Sequence, residues 1–314
     1  MKRSHLLPIF LAAAAVAAPY KYDSPWLTGP IIAAPGHSLK SGEVNWQLYL
    51  WASDNSGAYD NTWHRVKAPH TKRTKSIGPL AIFGIGLWEN WDLHLSWSFL
   101  GKFKDGQRAI RSGDTSVELG WQVLHDKGSF IPDIRLTLSE RFPSGQYQRL
   151  QASKLGTDIG GSGSYATDIG INFQKLWRTF GQQFLSMRMN LEYQIPLRVN
   201  VQGVNAYGGA DNTNGRVKPG QTFTGVLSAE QTLVRRWALA LDFMFTHTQR
   251  TKFSGNTGSG GSLSSNSATQ YSLAPAVEYN PNENLGFIAG VWFSFAGKNS
   301  EDFTTFALSC TYGY

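Results

Sequence analysis

The sequence predicts an all-β protein, a single transmembrane antiparallel β-barrel with up-and-down topology, and three observations support this prediction. Runs of about ten residues alternate between bulky apolar side chains and small or polar ones, a period of two that is typical of strands. Long polar connections alternate with short turns along the chain. The chain also opens with the pattern of an export signal. Together these features predict about 12 strands that cross an outer membrane, with both chain termini in the periplasm.

The N-terminus has the three parts of a secretory signal peptide. Lys2 and Arg3 precede an apolar run from Leu6 to Ala15, and Ala15-Val16-Ala17 is a small-residue cleavage motif. The apolar run is shorter than the roughly 18 residues of a membrane-spanning helix, which disfavours the alternative of a retained anchor. We therefore expect residues 1–17 to be removed by cleavage after Ala17.

Residues 18–42 contain four Pro and three Gly and show no periodicity. This composition predicts an irregular N-terminal segment in the periplasm. A small plug folded into the mouth of the barrel is the alternative that the sequence leaves open. Residues 43–314 are predicted to form the barrel itself.

The stretch from Ile77 to Phe99 contains two alternating runs joined by a turn at Trp88 to Trp91, which predicts a hairpin. In the second run one face carries Trp91, Leu93, Leu95, Trp97 and Phe99, and the other carries Asp92, His94, Ser96 and Ser98. Trp at the turn end of the apolar face is typical of the aromatic girdle at a membrane interface.

Ten further runs show the same alternation, which gives twelve strands. The predicted strands run from Val44 to Trp51, Ile77 to Leu87, Trp91 to Phe99, Val117 to Val123, Asp133 to Ser139, Thr167 to Gln174, Leu185 to Tyr193, Phe223 to Glu230, Trp237 to Thr246, Gln270 to Tyr279, Phe287 to Phe295 and Phe303 to Tyr314. Pro275 in the tenth strand is expected at a bulge, because it has no N–H to donate to a closed ladder.

The connections between the predicted strands alternate in length. Long polar connections, such as Ala52 to Lys75 and Pro196 to Lys218, follow the odd-numbered strands up to the ninth, and tight turns follow the even-numbered strands up to the tenth. The connection after the eleventh strand is short as well. Arg250 to Ser267 is rich in Gly, Ser and Asn and is predicted to be a mobile loop. A soluble twelve-stranded sandwich fits less well, because its outward faces would be polar.

Composition disfavours several other classes of protein. The formal charge of +7 falls to +5 when Lys2 and Arg3 leave with the signal, and an exported chain without a groove-reading motif is not expected to bind nucleic acid. A single cysteine, Cys310, rules out an internal disulfide framework. The Gly-rich run at residues 160–163 lacks a following P-loop lysine, and His64 with His70 lacks the framework of a metal site. We therefore expect neither a cofactor nor a bound metal.

Charged side chains fall on the predicted inward face of many strands. They are Asp92, His94, Glu118, Arg135, Asp168, Arg188, Glu192, Glu230, Asp242 and Glu278. Twelve strands tilted by about 40° and spaced about 4.8 Å apart close to a backbone radius of roughly 12 Å, which leaves a narrow passage or none. We predict that this set lines a pore which, if open, mildly favours cations or neutral solutes. The alternative is that the charges pair across the lumen and hold a plugged barrel shut.

Asp92, His94 and Ser96 raise the alternative of an outer-membrane hydrolase. Residues i and i+2 of a strand lie about 6.5 to 7 Å apart at the backbone, and a lipid hydrolase should present its nucleophile to the lipid. These three residues are predicted to face inward. We therefore interpret them as polar lining residues and expect no enzymatic activity.

The basic connection between the first two strands is predicted to lie outside the cell. It carries Arg65, Lys67, Lys72, Arg73 and Lys75, and a second basic stretch runs from Lys102 to Arg111. Such cations can bind the phosphates of lipopolysaccharide, a contact that weakens with salt. A simple solvated surface is the alternative.

Two stretches resemble known outer-membrane barrels. The last strand, with aromatic or apolar residues at alternate positions from Phe306 to Tyr314, is similar to the signal read by the barrel assembly machinery, although most such barrels end in Phe. Gly113-Asp114 and the run Arg141-Phe142-Pro143-Ser144-Gly145 resemble the family of the meta-pathway of phenol degradation, in which Thr is more usual at the position of Ser144. This resemblance implies movement of hydrophobic or aromatic compounds through the outer membrane.

We therefore expect a barrel of the bacterial outer membrane that acts as a passive channel for small, hydrophobic or aromatic solutes. Its expected partners are outer-membrane lipid, lipopolysaccharide, the assembly machinery and the solute. A structural or surface-interaction barrel with a blocked lumen is the alternative function.

Overall fold

The computed structural model describes residues 25–128, 130–179 and 183–314, so the predicted signal peptide lies outside the described residues. The strands are β1 (Val44–Tyr59), β2 (Arg65–Lys67), β3 (Thr74–Trp88), β4 (Trp91–Lys104), β5 (Gln107–Ser112), β6 (Thr115–Leu124), β7 (Asp133–Phe142), β8 (Ala166–Arg178), β9 (Phe184–Pro196), β10 (Val199–Gln202), β11 (Asn214–Lys218), β12 (Thr222–Val234), β13 (Trp237–Thr248), β14 (Lys252–Asn256), β15 (Ala268–Tyr279), β16 (Leu285–Lys298) and β17 (Ser300–Gly313). Two short 3-10 helices, His70–Lys72 and Ala152–Lys154, lie in connections. Within the described ranges, no helix is long and apolar enough to cross a membrane.

Twelve of the strands form a closed antiparallel ring. In order around the ring they are β1, β3, β4, β6, β7, β8, β9, β12, β13, β15, β16 and β17. The ring closes because β17 pairs with β1 from Asn45 opposite Gly313 to Tyr59 opposite Ser300. Closure pairs the backbone groups that would otherwise form two bare edges, which a barrel in lipid requires. The predicted fold class and strand number are confirmed.

Several strands extend further than the alternation predicts. β1 continues to Tyr59 and β4 to Lys104, and β5 pairs with the outer part of β4 to form a ribbon beyond the barrel. Along these extensions charged and small residues stand among the apolar ones on the outward face, so the apolar alternation that identifies a strand is lost. The prediction of a bulge at Pro275 is wrong, because the β15–β16 ladder keeps its register from Leu273–Phe293 to Ala276–Gly290 and its register shift lies between Tyr271 and Ser272. The ladder accommodates Pro275 by lacking a pair there.

Bulky apolar side chains cover the outside of the ring. Leu48, Leu138, Ile169 and Phe306 are between 53% and 63% exposed. At the short-turn end of this belt, the rings of Trp91 and Trp121 stack with their centroids 5.5 Å apart. A continuous apolar exterior flanked by aromatic residues is stable in hydrocarbon and not in water, which places the barrel in an outer membrane.

A second, smaller sheet lies among the long extracellular connections. β10, β11 and β14 form three antiparallel strands around a core of Val199, Val201 and Val217. The prediction of a mobile loop from Arg250 to Ser267 is wrong over Lys252–Asn256, which pairs with β11 as strand β14. Five residues inside a Gly- and Ser-rich run show no alternation, so the pairing was not visible in the sequence.

Candidate functional site in the barrel lumen

Residues 25–42, the N-terminal strap, run along the inner wall at the short-turn end of the barrel. Arg235 lies in the turn between β12 and β13, and its guanidinium carbon is 4.1 Å from the centroid of the Trp26 ring. At the other end of the strap, Gly42 donates its N–H to the carbonyl of Gly86 on β3. The strap therefore passes around the inside of the wall before the chain enters β1. The described residues 25–42 thus lie inside the mouth of the barrel, and a plug formed by residues 18–42 stays a prediction.

Wall side chains from six strands hold the strap by its backbone. The N–H donors and their acceptors are Thr28 to Glu278 (2.9 Å), Ile32 and Ala33 to Asp242 (3.1 and 3.2 Å), Gly36 to Gln174 (3.0 Å), Ser38 to Gln122 (3.0 Å) and Leu39 to Asp92 (3.0 Å). In the other direction, Arg188 and Asn190 donate to the carbonyls of Ala33 and Ala34, each at 3.1 Å. An irregular segment has no neighbouring strand to bond to, so these side chains satisfy backbone groups that would otherwise be buried without partners.

Small residues allow the strap to approach the wall closely. A Cβ atom at Gly36 would lie 2.6 Å from the backbone N of Gln174, closer than side-chain and backbone atoms can pack. The inward-facing Gly86 likewise faces the Lys40 carbonyl directly. The small inward side chains of the first hairpin thus make room for the strap.

One group of predicted lining residues forms an ion-paired cluster on β4, β6 and β7. Arg135, which is 1% exposed, contacts Asp92 at 2.6 Å and Glu118 at 2.9 Å through its Nη2 atom. His94 Nε2 lies 3.3 Å from the other carboxylate oxygen of Asp92. Asp92 therefore joins this cluster to the strap, since the same oxygen accepts from Leu39 N–H.

The remaining predicted lining residues lie on β8, β9, β12, β13 and β15. Arg188 Nη2 pairs with Glu230 at 3.2 Å, and Asp168 lies 3.8 Å from Arg141. Glu230, Asp242 and Glu278 are fully buried, whereas Glu192 is exposed. Arg188 and Glu230 are thus paired with each other, and Asp242 and Glu278 accept hydrogen bonds from the strap. The paired-charge alternative for the whole set stays a prediction.

A cavity of about 970 Å³ remains between the strap and the opposite part of the wall. Its lining includes the aromatic residues Tyr49 and Trp51 of β1 and Trp292 of β16. The Tyr49 and Trp51 rings stack with centroids 5.3 Å apart, and Trp292 meets Trp51 edge-on at 6.1 Å. The cavity therefore has an aromatic side as well as the charged side that the sequence predicted.

This aromatic side is continuous with an apolar patch. Ile31 of the strap packs with Ala240, Ala274, Ala276, Ile288 and Ala307, and Trp51 and Trp292 pack against this cluster. Leu80 and Ile82 of β3 also line the cavity. The alternation of the first two strands predicts inward positions for Tyr49, Trp51, Leu80 and Ile82, but the sequence singles out only charged residues as candidates. The signal that could have identified this surface was two consecutive inward aromatic residues, Tyr49 and Trp51, in a first strand whose outward face was already apolar.

The residues behind the hydrolase alternative point away from a nucleophilic arrangement. The Ser96 hydroxyl is hydrogen-bonded to Ser116 Oγ at 2.6 Å, and the His94 imidazole is turned toward Asp92. All three predicted residues face the lumen and not the lipid. In the described ranges, no group of three or more His, Cys, Asp or Glu could hold a metal ion.

The predicted lipopolysaccharide contacts lie on the outer connection between β1 and β3 and at the start of β3. Lys67, Lys72 and Lys75 are exposed. Arg65 Nε donates to the buried carboxylate of Asp302 at 2.6 Å, and this bond raises the pKa of Arg65. Arg73 Nε donates to the Ala68 carbonyl at 3.3 Å. Arg65 is thus partly engaged within the protein, and the three lysines are the freer cations of this set.

The barrel is similar to solved outer-membrane proteins. An outer membrane channel from Pseudomonas putida F1 superposes with a TM-score of 0.63 at 13% identity, covering 90% of this chain and 100% of that chain. This likeness shows a shared barrel fold. The β domain of the Bordetella autotransporter BrkA (TM-score 0.48, 10% identity, covering 87% and 100%) and the Pseudomonas putida toluene transporter TodX (TM-score 0.39, 10% identity, covering 88% and 90%) are more distant.

No curated protein sequence matches the chain. A family model described as "Putative MetA-pathway of phenol degradation" matches residues 65–309, which is most of the barrel. The resemblance seen in the stretch from Gly113 to Gly145 is therefore confirmed over a much longer range. This chain belongs to the family of the "Putative MetA-pathway of phenol degradation".

Proposed function

We propose that the barrel is a passive channel for small hydrophobic or aromatic solutes in the outer membrane. The observation that carries this proposal is the cavity of about 970 Å³ with Tyr49, Trp51 and Trp292 on its wall. Trp51 and Trp292 pack in part against the Ile31 cluster of the strap. The aromatic surface that still faces the cavity allows a ring-shaped solute to stack on it and leave water as it does so. The names of the solved outer-membrane channel and of the toluene transporter agree with a transport role.

The strap narrows this passage in the proposed mechanism. It bonds to the charged part of the wall, and the cavity beside it is lined by aromatic residues on one side and by Asp92, Glu118 and Arg135 on the other. A solute moves along the aromatic side, between the strap and β1, β3, β16 and β17. Because side chains from six strands hold the strap, it stays in place while solute passes. The charged cluster around Arg135 stabilises the wall by joining β4, β6 and β7, and the solute passes without separating its charges.

The channel performs no chemistry on its solute under this proposal. The lumen places a paired carboxylate, an imidazole and two bonded serines near the cavity, and their mutual bonds leave Ser96 without the His94 base that a nucleophile needs. His94 and Ser96 serve as polar lining, as the sequence analysis predicted.

Two further partners belong to the proposal. The last strand, β17, carries the alternating aromatic and apolar residues that the barrel assembly machinery reads. The exposed cations Lys67, Lys72 and Lys75, with Arg65 and Arg73, contact the phosphates of lipopolysaccharide from the outer connection.

Single-channel conductance in planar bilayers tests the pore, comparing the mature protein with a variant that lacks residues 18–42. We expect a small steady conductance from the mature protein and a larger one without the strap, because the strap occupies part of the lumen. Folding of both proteins is checked by the mobility shift that intact barrels show on unheated gels.

Solute class is tested by uptake of radiolabelled toluene into cells that depend on the channel. Expression should raise toluene uptake. A disulfide between an inserted pair of cysteines that joins the strap to β1 should leave this rise unchanged, because the strap stays in place while solute passes. No conductance from either protein, together with unchanged toluene uptake, would contradict the channel and favour a structural barrel with a blocked lumen.

A further inference from the structure

We infer that the outer face of the β3–β4–β5 ribbon is a binding site for the phosphorylated head of lipid A, the membrane anchor of lipopolysaccharide. The site is formed by Lys75 and Arg108 above an apolar strip, with His70, Arg73 and Lys104 at its edge. It extends the proposed lipopolysaccharide contact to a defined pocket and to residues of β5. It does not depend on whether the lumen conducts.

The register of the ribbon places the key residues on the lipid side. Lys75 pairs with Phe103 across β3 and β4, and Phe103 pairs with Arg108 across β4 and β5. Directly opposed residues of antiparallel strands share a face. Lys75 also alternates with Ile77, which lies in the outward apolar belt. Lys75, Phe103 and Arg108 therefore form one row that faces outward.

The next row toward the membrane is apolar. Ile110 is 72% exposed and pairs with Gly101, which in turn pairs with Ile77, itself 45% exposed. Phe99 follows along the same face of β4 at 49% exposed. An isoleucine with this exposure would be unfavourable in water, but it is suited to contact with acyl chains.

The height of these rows matches the boundary of the bilayer. The apolar belt begins at Trp91, the girdle residue at the other end of β4. A strand rises about 3.4 Å per residue, so with a tilt of about 40° Gly101 and Ile110 lie about 26 Å above Trp91 and Phe103 about 31 Å above it. The hydrocarbon band of such barrels is about 25 Å tall. Lys75 and Arg108 thus lie just above the acyl chains, where the phosphates of lipid A are found.

A pocket at this level has the charge that a phosphate requires. A cavity of about 510 Å³ is lined by His70, Arg73, Lys75, Phe103, Lys104, Asp105, Gly106, Gln107 and Arg108. Its cationic groups outnumber its single carboxylate, Asp105. Several cations around one concave site suit a head group with more than one phosphate better than a phospholipid with one.

The site is tested by thermal unfolding of the refolded barrel in phosphatidylcholine vesicles with and without purified lipid A. The variant is Lys75→Glu/Arg108→Glu. The matched control is Lys218→Glu/Lys252→Glu, which makes the same charge change on two paired, exposed lysines of the small extracellular sheet. Because all four residues are exposed, the variants should unfold at the wild-type temperature when lipid A is absent.

Lipid A should raise the unfolding midpoint of the wild type and of the control, and the rise should be lost in the Lys75→Glu/Arg108→Glu variant. Half-saturation should need at least about ten times more lipid A in that variant, as expected when charged hydrogen bonds are removed. Lipid A stripped of its phosphates should give no rise with the wild type, and salt should weaken the effect.

An equal rise in the Lys75→Glu/Arg108→Glu variant would overturn the site. An equal rise with phosphatidylglycerol vesicles would overturn lipid A as the occupant. If the charge reversal prevents folding, Lys75→Gln/Arg108→Gln replaces it with the same expectations.

Discussion

The two sides of the barrel lumen are built on different principles. The side formed by β4, β6, β7, β9, β12, β13 and β15 is charged, and its groups bond to one another and to the strap. The side formed by β1, β3, β16 and β17 presents Tyr49, Trp51, Leu80, Ile82 and Trp292 to a cavity. The charged side is a fixed internal scaffold, and the aromatic side is a surface on which a solute can bind.

The difference between the two sides explains how a narrow barrel can hold its strap in one position and still let a solute pass. Buried charges are costly to separate, so a paired charged wall has one arrangement and keeps it. Aromatic and aliphatic surface makes non-directional contacts that a passing solute can replace at little cost. Separating these two roles lets solute pass without breaking the bonds that hold the strap.

The largest effect on stability is expected from Arg135→Leu on the charged side. The change leaves Asp92 and Glu118 in the lumen without their shared cation, and breaking a buried pair in this way costs about 3–5 kcal/mol of unfolding free energy. Urea unfolding in vesicles measures the loss. Arg141→Leu is the control, because Arg141 is 39% exposed and 3.8 Å from Asp168, and an exposed pair contributes about 1 kcal/mol or less. Equal losses in both variants would mean that the charged side is not a scaffold.

A smaller effect is expected from Asp242→Asn, which weakens the hold on the strap. The carboxylate accepts from both Ile32 and Ala33, and an amide can accept from one while its NH₂ group opposes the other. Loss of such a bond costs about 1–3 kcal/mol, so the strap amides should exchange with deuterium on the order of ten- to hundredfold faster. Glu283→Gln, an exposed change at the same end of the barrel, is the control. Unchanged exchange in Asp242→Asn would show that the strap does not depend on this wall residue.

On the aromatic side, Trp51→Ala should change selectivity more than stability. An aromatic pair contributes about 0.5–1.5 kcal/mol beyond buried area, so toluene uptake relative to cyclohexane should fall about two- to tenfold. Trp46→Ala is the control, because Trp46 is 45% exposed on the lipid face of the same strand. A ratio that falls equally in the two variants would assign the effect to strand stability and not to the cavity.

The smallest effect is expected outside the lumen, in the turn after β6. Burial by itself would raise the pKa of the Asp126 carboxyl, but Lys175 at 2.6 Å and the amide of Gly128 hold this pKa below its ordinary value. A carboxyl with a lowered folded pKa stabilises the protein above its unfolded pKa of about 3.9, and this stabilisation is lost as the pH falls through the folded value. Asp126→Asn should therefore flatten the decline of unfolding temperature below about pH 4. An unaltered decline would remove Asp126 from the acid response.

The sequence predicted the ring of twelve strands, because each strand separates lipid from lumen and therefore carries a period of two. It also placed Asp92, Arg135 and Arg188 inward. It did not predict that the strap lies against them, since hydrogen bonds from backbone N–H groups to distant side chains have no pattern in the sequence. The small sheet of β10, β11 and β14 was missed for a related reason, because its strands have four or five residues with water on one side and only a small core on the other.

The wall holds the strap mainly by its main chain, with side-chain contacts at Trp26, Thr28, Ile31 and Ser38. Strap side chains without such a contact are free to differ. The exceptions are set by proline, which has no N–H to donate. Pro25 precedes the donor positions 28, 32, 33, 36, 38 and 39, and Pro30 and Pro35 fall between them. The wall thus recognises a spacing of amide hydrogens. A strap of different sequence would fit the same barrel if it kept proline out of those six positions, glycine at 36 and the side-chain contacts of Trp26 and Ile31.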